Sequence, residues 1–330
     1  MKKRVGIPRA LFYFNYYPLW NTFFRELGAE VVLSECTSKR TLDDGTRSCV
    51  DEACLPIKIF HGHVVNLKDK VDYLFIPRFT SISKGEYICP KFGGLPDMIK
   101  HTFKDLPKVI DTEINLRKTR KNAKRAAIQI GSYFTSDIRR IKIAYKKALE
   151  SNAAFLEKVK SGTLNCDLLD KKLRVLKKNT DSELNIAVLG HPYNIFDRHI
   201  NMNLIEKLRD SGVNIITTDM ADNSIVNEKA QLLSKKTFWN YGRKAVGSIL
   251  HYVDRNDIDG IIYLMTFGCG IDAFICDIAE RKVRNNSEIP FIVLTLDEHS
   301  GEAGMNTRLE AFLDMIRWRQ KDENNLSAHG

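Results

Sequence analysis

Long apolar runs are absent from this 330-residue sequence. No stretch approaches the roughly 18 consecutive apolar residues that indicate a membrane-spanning helix. The first residues, MKKRVGIP, lead directly into a strand pattern without the apolar region of a secretory signal. We therefore expect a cytoplasmic protein with no membrane partner. Because thiols stay reduced in the cytosol, its seven cysteines are not expected to form disulfides.

Nucleic-acid-binding modules are also missing, although the formal net charge is +10. The basic residues are concentrated in 117–125, 139–147 and 171–178, where they alternate with apolar residues at helical spacing. Such runs are typical of a solvated helix face. No zinc finger, RNP-like aromatic pattern or bZIP-like heptad accompanies them, so we expect no nucleic-acid partner. The alternative is a docking surface for an acidic partner or a phosphorylated ligand.

ATP-binding motifs are likewise incomplete. The glycines after Asp297 resemble a phosphate-binding turn, but neither a Walker lysine pattern nor a complete GxGxxG motif is present. We therefore do not expect this chain to hydrolyse ATP.

What the sequence does contain is a regular alternation of short β-rich runs with helical patterns. The predicted strands are 3–8, 30–34, 72–77, 184–190, 213–218, 260–265 and 290–295. A helix is predicted over 17–27, ending at Gly28. Right-handed crossovers make such strands parallel. We predict an α/β fold of two Rossmann-like open parallel-sheet domains, 1–114 and 181–330, with a helical connector over 115–180.

Four cysteines each come at the exit of a strand or loop, just before a predicted helix: Cys49, Cys54, Cys89 and Cys269. Thiolates select zinc, copper(I) or iron–sulfur clusters over hard ions. A helix N-terminus lowers the pKa of a thiol placed there. In open α/β sheets ligands bind at the carboxyl ends of strands, so we expect these loops to converge on an interdomain cleft with a soft metal centre. For each cysteine taken alone, a buried core thiol is an equal alternative.

For the other reactive side chains, the surrounding sequence gives a weaker indication of function. His191 and Tyr193 follow a strand exit, where a loop-stabilising role and a catalytic role are both open. His61 and His63 are two residues apart on a predicted helix and so do not share a face; packing roles are favoured. Structural or incidental roles are favoured for the remaining cysteines, which are Cys36, Cys166 and Cys276.

Several segments, taken in order, resemble one known family. They are Val5–Tyr13, Tyr17–Trp20, Cys49–Lys58, His61–His63, Ile88–Pro90, Gly190–Tyr193 and Thr307–Phe312. Together they resemble the DUF2229 family, the acyl-CoA dehydratase activase-related proteins. That family is similar to the subunits of 2-hydroxyacyl-CoA dehydratase and benzoyl-CoA reductase. The resemblance extends over nearly the full length, with one departure: the family's Gly-Cys-Gly-Pro-Asp turn is Gly268-Cys-Gly-Ile-Asp272 here.

The resemblance implies Rossmann-like domains around an iron–sulfur cluster, expected to be of the 4Fe-4S type, with a larger cluster shared between chains as the alternative. It also implies reduction by an ATP-dependent activase that carries its own 4Fe-4S cluster. Long family members contain the ATPase domain, for which 330 residues leave no room. We therefore expect a separate activase. A homo-oligomer or a hetero-oligomer with a related subunit would agree with the resemblance.

The leading hypothesis is a cytoplasmic iron–sulfur protein of an anaerobe, serving in low-potential electron transfer or as a reductase or dehydratase-like component. Its predicted ligands are the four cysteines before helices; if only three bind, the fourth iron stays open for substrate. Asp272, His191 and Tyr193 are the candidates for catalytic proton donors or for residues that support the ligands. The alternatives are a non-catalytic cluster carrier and a zinc-stabilised nucleotide- or CoA-binding protein.

Overall fold

The computed structural model describes residues 2–170, 184–233 and 237–327. The first part contains β1 (Arg4–Ile7), α1 (Tyr13–Glu26), β2 (Glu30–Leu33), α2 (Lys39–Arg47), α3 (Leu55–Leu67), β3 (Tyr73–Phe75), β4 (Arg78–Ser81), α4 (Pro90–Thr102), β5 (Lys108–Ile110), β6 (Glu113–Asn115), α5 (Lys121–Gly131), α6 (Ile138–Lys160) and α7 (Asn165–Leu169). The second contains β7 (Leu184–Gly190), α8 (Pro192–Phe196), α9 (Leu204–Asp210), β8 (Val213–Thr217), α10 (Asn223–Ala230), α11 (Asn240–Val253), β9 (Gly260–Thr266), α12 (Gly270–Asn286), β10 (Phe291–Leu296) and α13 (Glu302–Ser327).

Two parallel four-stranded sheets organise these elements. Their strand orders are β2-β1-β3-β5 and β10-β9-β7-β8, and every pair within them is parallel. In each sheet the second strand along the chain lies on one side of the first, and the third lies on the other side: β2 and β3 flank β1, and β8 and β9 flank β7. Each sheet therefore has a switch point, between β1 and β3 or between β7 and β9, where open α/β sheets bind ligands. The predicted α/β class with two Rossmann-like sheets is confirmed.

Three short strands were not predicted from the sequence: β4, which has four residues, β5 and β6. β5 and β6 have three residues each, and β6 pairs with β4 in a separate two-stranded sheet. An alternation of apolar and polar residues needs four or more residues to be recognised. These short strands were therefore not distinguishable from loops.

Helix α1 begins four residues earlier than predicted, at Tyr13, which leaves Pro18 inside the helix. Proline lacks an N–H and was expected near the first turn. The helix extends further because the side chains of Tyr13 and Phe14 are buried in the core, with their rings 5.2 Å apart. The predicted end is confirmed, since Gly28 has a φ of +86° that few other residues adopt.

The segment predicted as a connector is helical through α5, α6 and α7, and its last residues, 171–180, lie outside the described residues. Helix α6 packs against α1, with Ile141, Ala144 and Ala148 buried and the basic residues between them exposed. The spacing of three and four residues is that of one helix face. These basic residues therefore form the solvated helix surface that their pattern predicts.

The two sheets are held together by a shared apolar core and by buried polar contacts. Lys58 on α3 is 3% exposed at its side chain, and its Nζ lies 2.5 Å from Glu298 Oε1 in the loop after β10. Thr37 donates a hydrogen bond to Asp197 Oδ2 at 2.5 Å and lies 3.0 Å from His63 Nε2. Burial lowers the pKa of His63 to about 3. His63 is therefore neutral at pH 7 and has the packing role that its sequence context favoured.

No helix in the described part of the chain is both long enough and apolar enough to span a membrane.

Helices α2 and α3 cross at a pair of glycines. A Cβ added to Gly62 would lie 1.8 Å from the carbonyl oxygen of Thr41, and one added to Gly45 would lie 1.9 Å from that of Lys58. Only residues without a Cβ allow the two backbones to approach this closely. The crossing therefore fixes how α3 lies against α2, and Cys54 is the residue directly before α3.

We expect Gly62→Ala to destabilise the protein by roughly 1–3 kcal/mol, because the added methyl group must push α2 away from α3. Gly94→Ala is the matched control: Gly94 lies inside α4 with no atom within 4 Å of its added Cβ. That variant should gain up to about 1 kcal/mol from helix propensity. Urea unfolding of both variants measures the difference. Equal midpoints would contradict the close crossing.

Candidate metal centre

Three of the four predicted cysteines are the N-cap residues of three helices. Cys54 precedes α3, Cys89 precedes α4 and Cys269 precedes α12. A helix N-terminus has free N–H groups and a partial positive charge, so it stabilises an anion placed against it. Proline follows at the first or second helical position in both α3 and α4, where its missing N–H has no cost.

These three cysteines line one cavity between the two sheets. The full lining is Leu11, Cys54, Pro56, Ile57, Cys89, Lys91, Phe92, His191, Tyr193, Tyr241, Thr266, Cys269 and Ile271. The structure thus brings together three predicted ligands and both predicted strand-exit residues, His191 and Tyr193. Cys49 does not line the cavity, although it is close enough to Cys54 for the two thiols to affect each other electrostatically.

Cys269 is positioned by the switch point of the second sheet. Strand β9 ends at Thr266, and the N–H of Cys269 donates a hydrogen bond to the Thr266 carbonyl at 3.1 Å. This tight turn contains Gly268 at a φ of +78°, which favours glycine. Gly268 also lies against Cys54, whose Cα would be 3.5 Å from an added Cβ. The N–H of Asp272 then approaches Cys269 Sγ at 3.5 Å.

A buried charge pair lies directly behind Cys269. His191 Nε2 is 3.0 Å from Asp272 Oδ1, which also accepts a hydrogen bond from the hydroxyl of Tyr263 at 2.9 Å. Burial lowers the pKa of His191, but Asp272 and a hydrogen bond to Cys269 outweigh it and raise that pKa to about 10. His191 is therefore a cation at pH 7, able to donate a hydrogen bond to the Cys269 sulfur.

Ligand atoms of His191, Cys269 and Asp272 lie within 4.8 Å of one another, so this group could hold a metal ion. A protonated imidazole has no free lone pair, so His191 would have to release its proton to bind a metal. While it keeps that proton, His191 can instead orient Cys269 through a hydrogen bond, with Asp272 as its counter-charge.

The thiols of Cys89 and Cys49 have raised pKa values in place of the lowered ones that helix N-termini led us to expect. At Cys89, burial raises the pKa more than the hydrogen bond from the N–H of Lys91 lowers it, so desolvation of the thiolate exceeds the effect of the helix end. Burial likewise raises the pKa of Cys49, which follows the C-cap of α2 and precedes no helix directly. A bound cation would have to replace each proton, so metal binding here releases protons.

The donor set fits a soft metal centre: three sulfurs, a cationic histidine, the nearby Lys91 and the Thr266 hydroxyl all border one space. That space measures about 20 Å³, which is room for about one water molecule. An iron–sulfur cluster would need more room than this, so the surrounding side chains would have to lie further apart to hold one. Buried Thr266 Oγ1 and Asp272 Oδ2 have no hydrogen-bond partner within the described residues.

Three polar residues of this lining were not predicted from the sequence: Lys91, Thr266 and Tyr241. Lys91 comes two residues after Cys89, and its charge lowers the pKa of both Cys89 and Cys49. It was detectable from the sequence as a cation beside a predicted ligand. Thr266 and Tyr241 carried no signal, since a strand-end threonine and a tyrosine at a helix start are ordinary core residues. Cys166 and Cys276 are buried and lie outside the lining.

Comparison with protein families gives two matches. The model described as CoA enzyme activase uncharacterised domain (DUF2229) matches residues 4–221. The model described as 2-hydroxyglutaryl-CoA dehydratase, D-component, matches residues 167–316. The first contains Cys54, Cys89 and His191, and the second contains His191 and Cys269, so the two matches meet at this cavity. No curated protein matches the chain.

We expect Asp272→Asn to destabilise the protein by roughly 3 kcal/mol, because it leaves buried His191 without its counter-charge. Asp277→Asn is the control on the same helix: its partner Arg281 is 75% exposed at the side chain, and such a pair contributes little. The urea midpoints of the two variants measure the contrast. A similar small shift in both would mean that the His191 pair carries no buried charge.

Proposed function

Because the chain belongs to the DUF2229 family, we propose that it is an iron–sulfur protein that accepts electrons as a component of the 2-hydroxyacyl-CoA dehydratase type. The observation that carries this proposal is the convergence of three cysteine N-caps, from α3, α4 and α12, on one interdomain cavity. Thiolates at convergent helix N-termini suit an anionic iron–sulfur cluster, which binds through cysteine.

In this proposal Cys54, Cys89 and Cys269 bind a 4Fe-4S cluster, which supplies one-electron chemistry at low potential. Cys49 lies beside Cys54 but outside the cavity lining, which favours three protein ligands over four. Three ligands leave one coordination position for a substrate. Tyr193 is the candidate proton donor, since burial raises its pKa well above 10 and keeps its phenol protonated.

In the same proposal, His191 and Asp272 support the cluster ligand Cys269. Protonated His191 donates a hydrogen bond toward Cys269, and Asp272 holds the imidazolium in place at 3.0 Å. Hydrogen bonds and positive charge near the sulfurs stabilise the reduced state of a cluster. Lys91 adds a second positive charge on the side of Cys89. The chain thus balances the charge that an added electron brings.

A larger cavity favours a catalytic component over a simple carrier. It measures about 340 Å³ and lies between the sheets on the other side of the first turns of α3, where Leu55 and Ile59 line it. The opposite wall contains His199 and Ser300. A space of this size accepts a small molecule, and both cavities border the first turns of α3, since Pro56 and Ile57 line the cysteine cavity.

We expect Cys54→Ser, Cys89→Ser and Cys269→Ser each to lose most of the iron and acid-labile sulfide of the anaerobically purified protein. Cys49→Ser should retain a cluster, because Cys49 does not line the cavity. Cys276→Ala is the control, since Cys276 is buried in α12 away from the lining. The measurements are iron and sulfide analysis and EPR of the dithionite-reduced protein. Wild-type protein with zinc and no sulfide would refute the redox role and favour the zinc-stabilised alternative.

The proposed electron donor is a separate ATP-dependent activase, and the structure has an apolar surface suited to it. Phe267 is 70% exposed two residues before Cys269, and Phe274 is 66% exposed on the following helix. Val50, beside Cys49, is 64% exposed. Phe267 and Phe274 lie in the chain on either side of Cys269, and large exposed apolar side chains are the groups that interaction sites use. A donor bound here would lie next to the cysteine cavity, as electron transfer requires.

We expect the double variant Phe267→Ser/Phe274→Ser to be reduced by activase and ATP at least tenfold more slowly, because it removes apolar contact area from the docking surface. Reduction by titanium(III) citrate should be unchanged. The control is Trp318→Ser, a 70% exposed aromatic on α13. Stopped-flow absorbance measures the reduction rates of the wild-type protein, the double variant and the control. An equal slowing with the chemical reductant would show damage to the cluster instead of lost docking.

A further inference from the structure

One buried polar group in the cysteine cavity has no partner within the described residues. Thr266 is the last residue of β9 and is 1% exposed, and it lines the same cavity as the three cysteines. Its hydroxyl oxygen makes no hydrogen bond. Its backbone, by contrast, is engaged, since the carbonyl accepts the N–H of Cys269 at 3.1 Å.

A buried hydroxyl without a partner is unfavourable, so such groups in native proteins usually face a ligand, an ion or a water. On the paired strand, the carbonyl of Leu296 accepts the N–H of Phe267 at 2.8 Å and is not bonded to the Thr266 hydroxyl. The cavity that Thr266 lines is therefore the place to look for the partner of its hydroxyl.

The chemistry of the cavity indicates what that partner is. A lone water needs two to four polar partners, and two polar side chains of the lining are already engaged. His191 is paired with Asp272 and Cys269, and the hydroxyl of Tyr241 donates to Asn15 at 3.3 Å. Asp272 Oδ2 is a second buried atom without a partner among the described residues, but Asp272 does not line the cavity, whereas the sulfurs of Cys54, Cys89 and Cys269 do. The turn from Thr266 to Cys269 brings the hydroxyl and one of these sulfurs to the same wall.

We propose that the hydroxyl of Thr266 donates a hydrogen bond to a sulfur of the bound cluster, thiolate or inorganic sulfide, and thereby raises the reduction potential of the cluster. The inference rests on the proposed function. The added electron increases the negative charge on the sulfurs, so this hydrogen bond is stronger in the reduced state than in the oxidised state. Thr266 is a positioning and tuning residue, and it donates no proton to a substrate.

The test compares Thr266→Val, which keeps the shape of the side chain and removes the donor, with Thr266→Ser, which keeps the donor. An EPR-monitored redox titration of the cluster-loaded proteins gives the midpoint potentials. We expect the valine variant to disfavour reduction by about tenfold, which is about 59 mV for a one-electron couple. The serine variant should stay near wild type.

The control is Thr295→Val, an exposed threonine on the adjacent strand β10, which should not change the potential. Thr266→Ala provides a second donor-free variant if valine prevents loading. A donor-free variant that binds a full cluster at the wild-type potential would overturn the proposal and leave only a water bonded to Thr266. Wild-type protein that binds no cluster at all would instead refute the proposed function, and the iron and sulfide analysis separates these outcomes.

Discussion

The candidate centre depends on three helix N-termini that point at one space from two different sheets. Cys54 and Cys89 come from the first sheet's helices, and Cys269 comes from the switch point of the second. Grouping three thiolates in a buried place is unfavourable unless positive charge compensates them. The helix ends supply part of that charge through their free N–H groups, and Lys91 and protonated His191 supply the rest.

Burial and charge compensation oppose each other at this site, and the thiol pKa values show which is larger. The pKa of Cys89 is raised although it caps a helix and has a lysine nearby. Desolvation therefore exceeds the dipole effect until a metal cation replaces the proton. The same low-polarity surroundings strengthen the pairing of His191 with Asp272, so the site holds a permanent cation beside Cys269. A site of this kind suits a group whose negative charge increases on reduction.

The centre also depends on contacts that fix the two sheets relative to each other. The glycine crossing holds α3 close against α2, and the buried pair of Lys58 with Glu298 joins α3 to the second sheet. Removing one partner of such a buried ion pair lowers the stability of the fold by much more than the intact pair contributes. Cys54 therefore depends on contacts made several residues away, and the cysteines meet only while the interdomain contacts hold.

The sequence by itself determined the α/β class, the main strands and the cysteines that precede helices, because apolar periodicity and helix-start residues are local properties of a chain. It also indicated His191, Tyr193 and Asp272 by their places at strand exits and the following turn. Only the tertiary structure separated Cys49 from the other three cysteines, paired His191 with Asp272, added Thr266 and Tyr241 to the cavity and extended α1 back to Tyr13. Those outcomes depend on distances between segments that are far apart in the chain. Local patterns do not contain those distances, since they are set by the packing of the two sheets and by the burial that this packing creates.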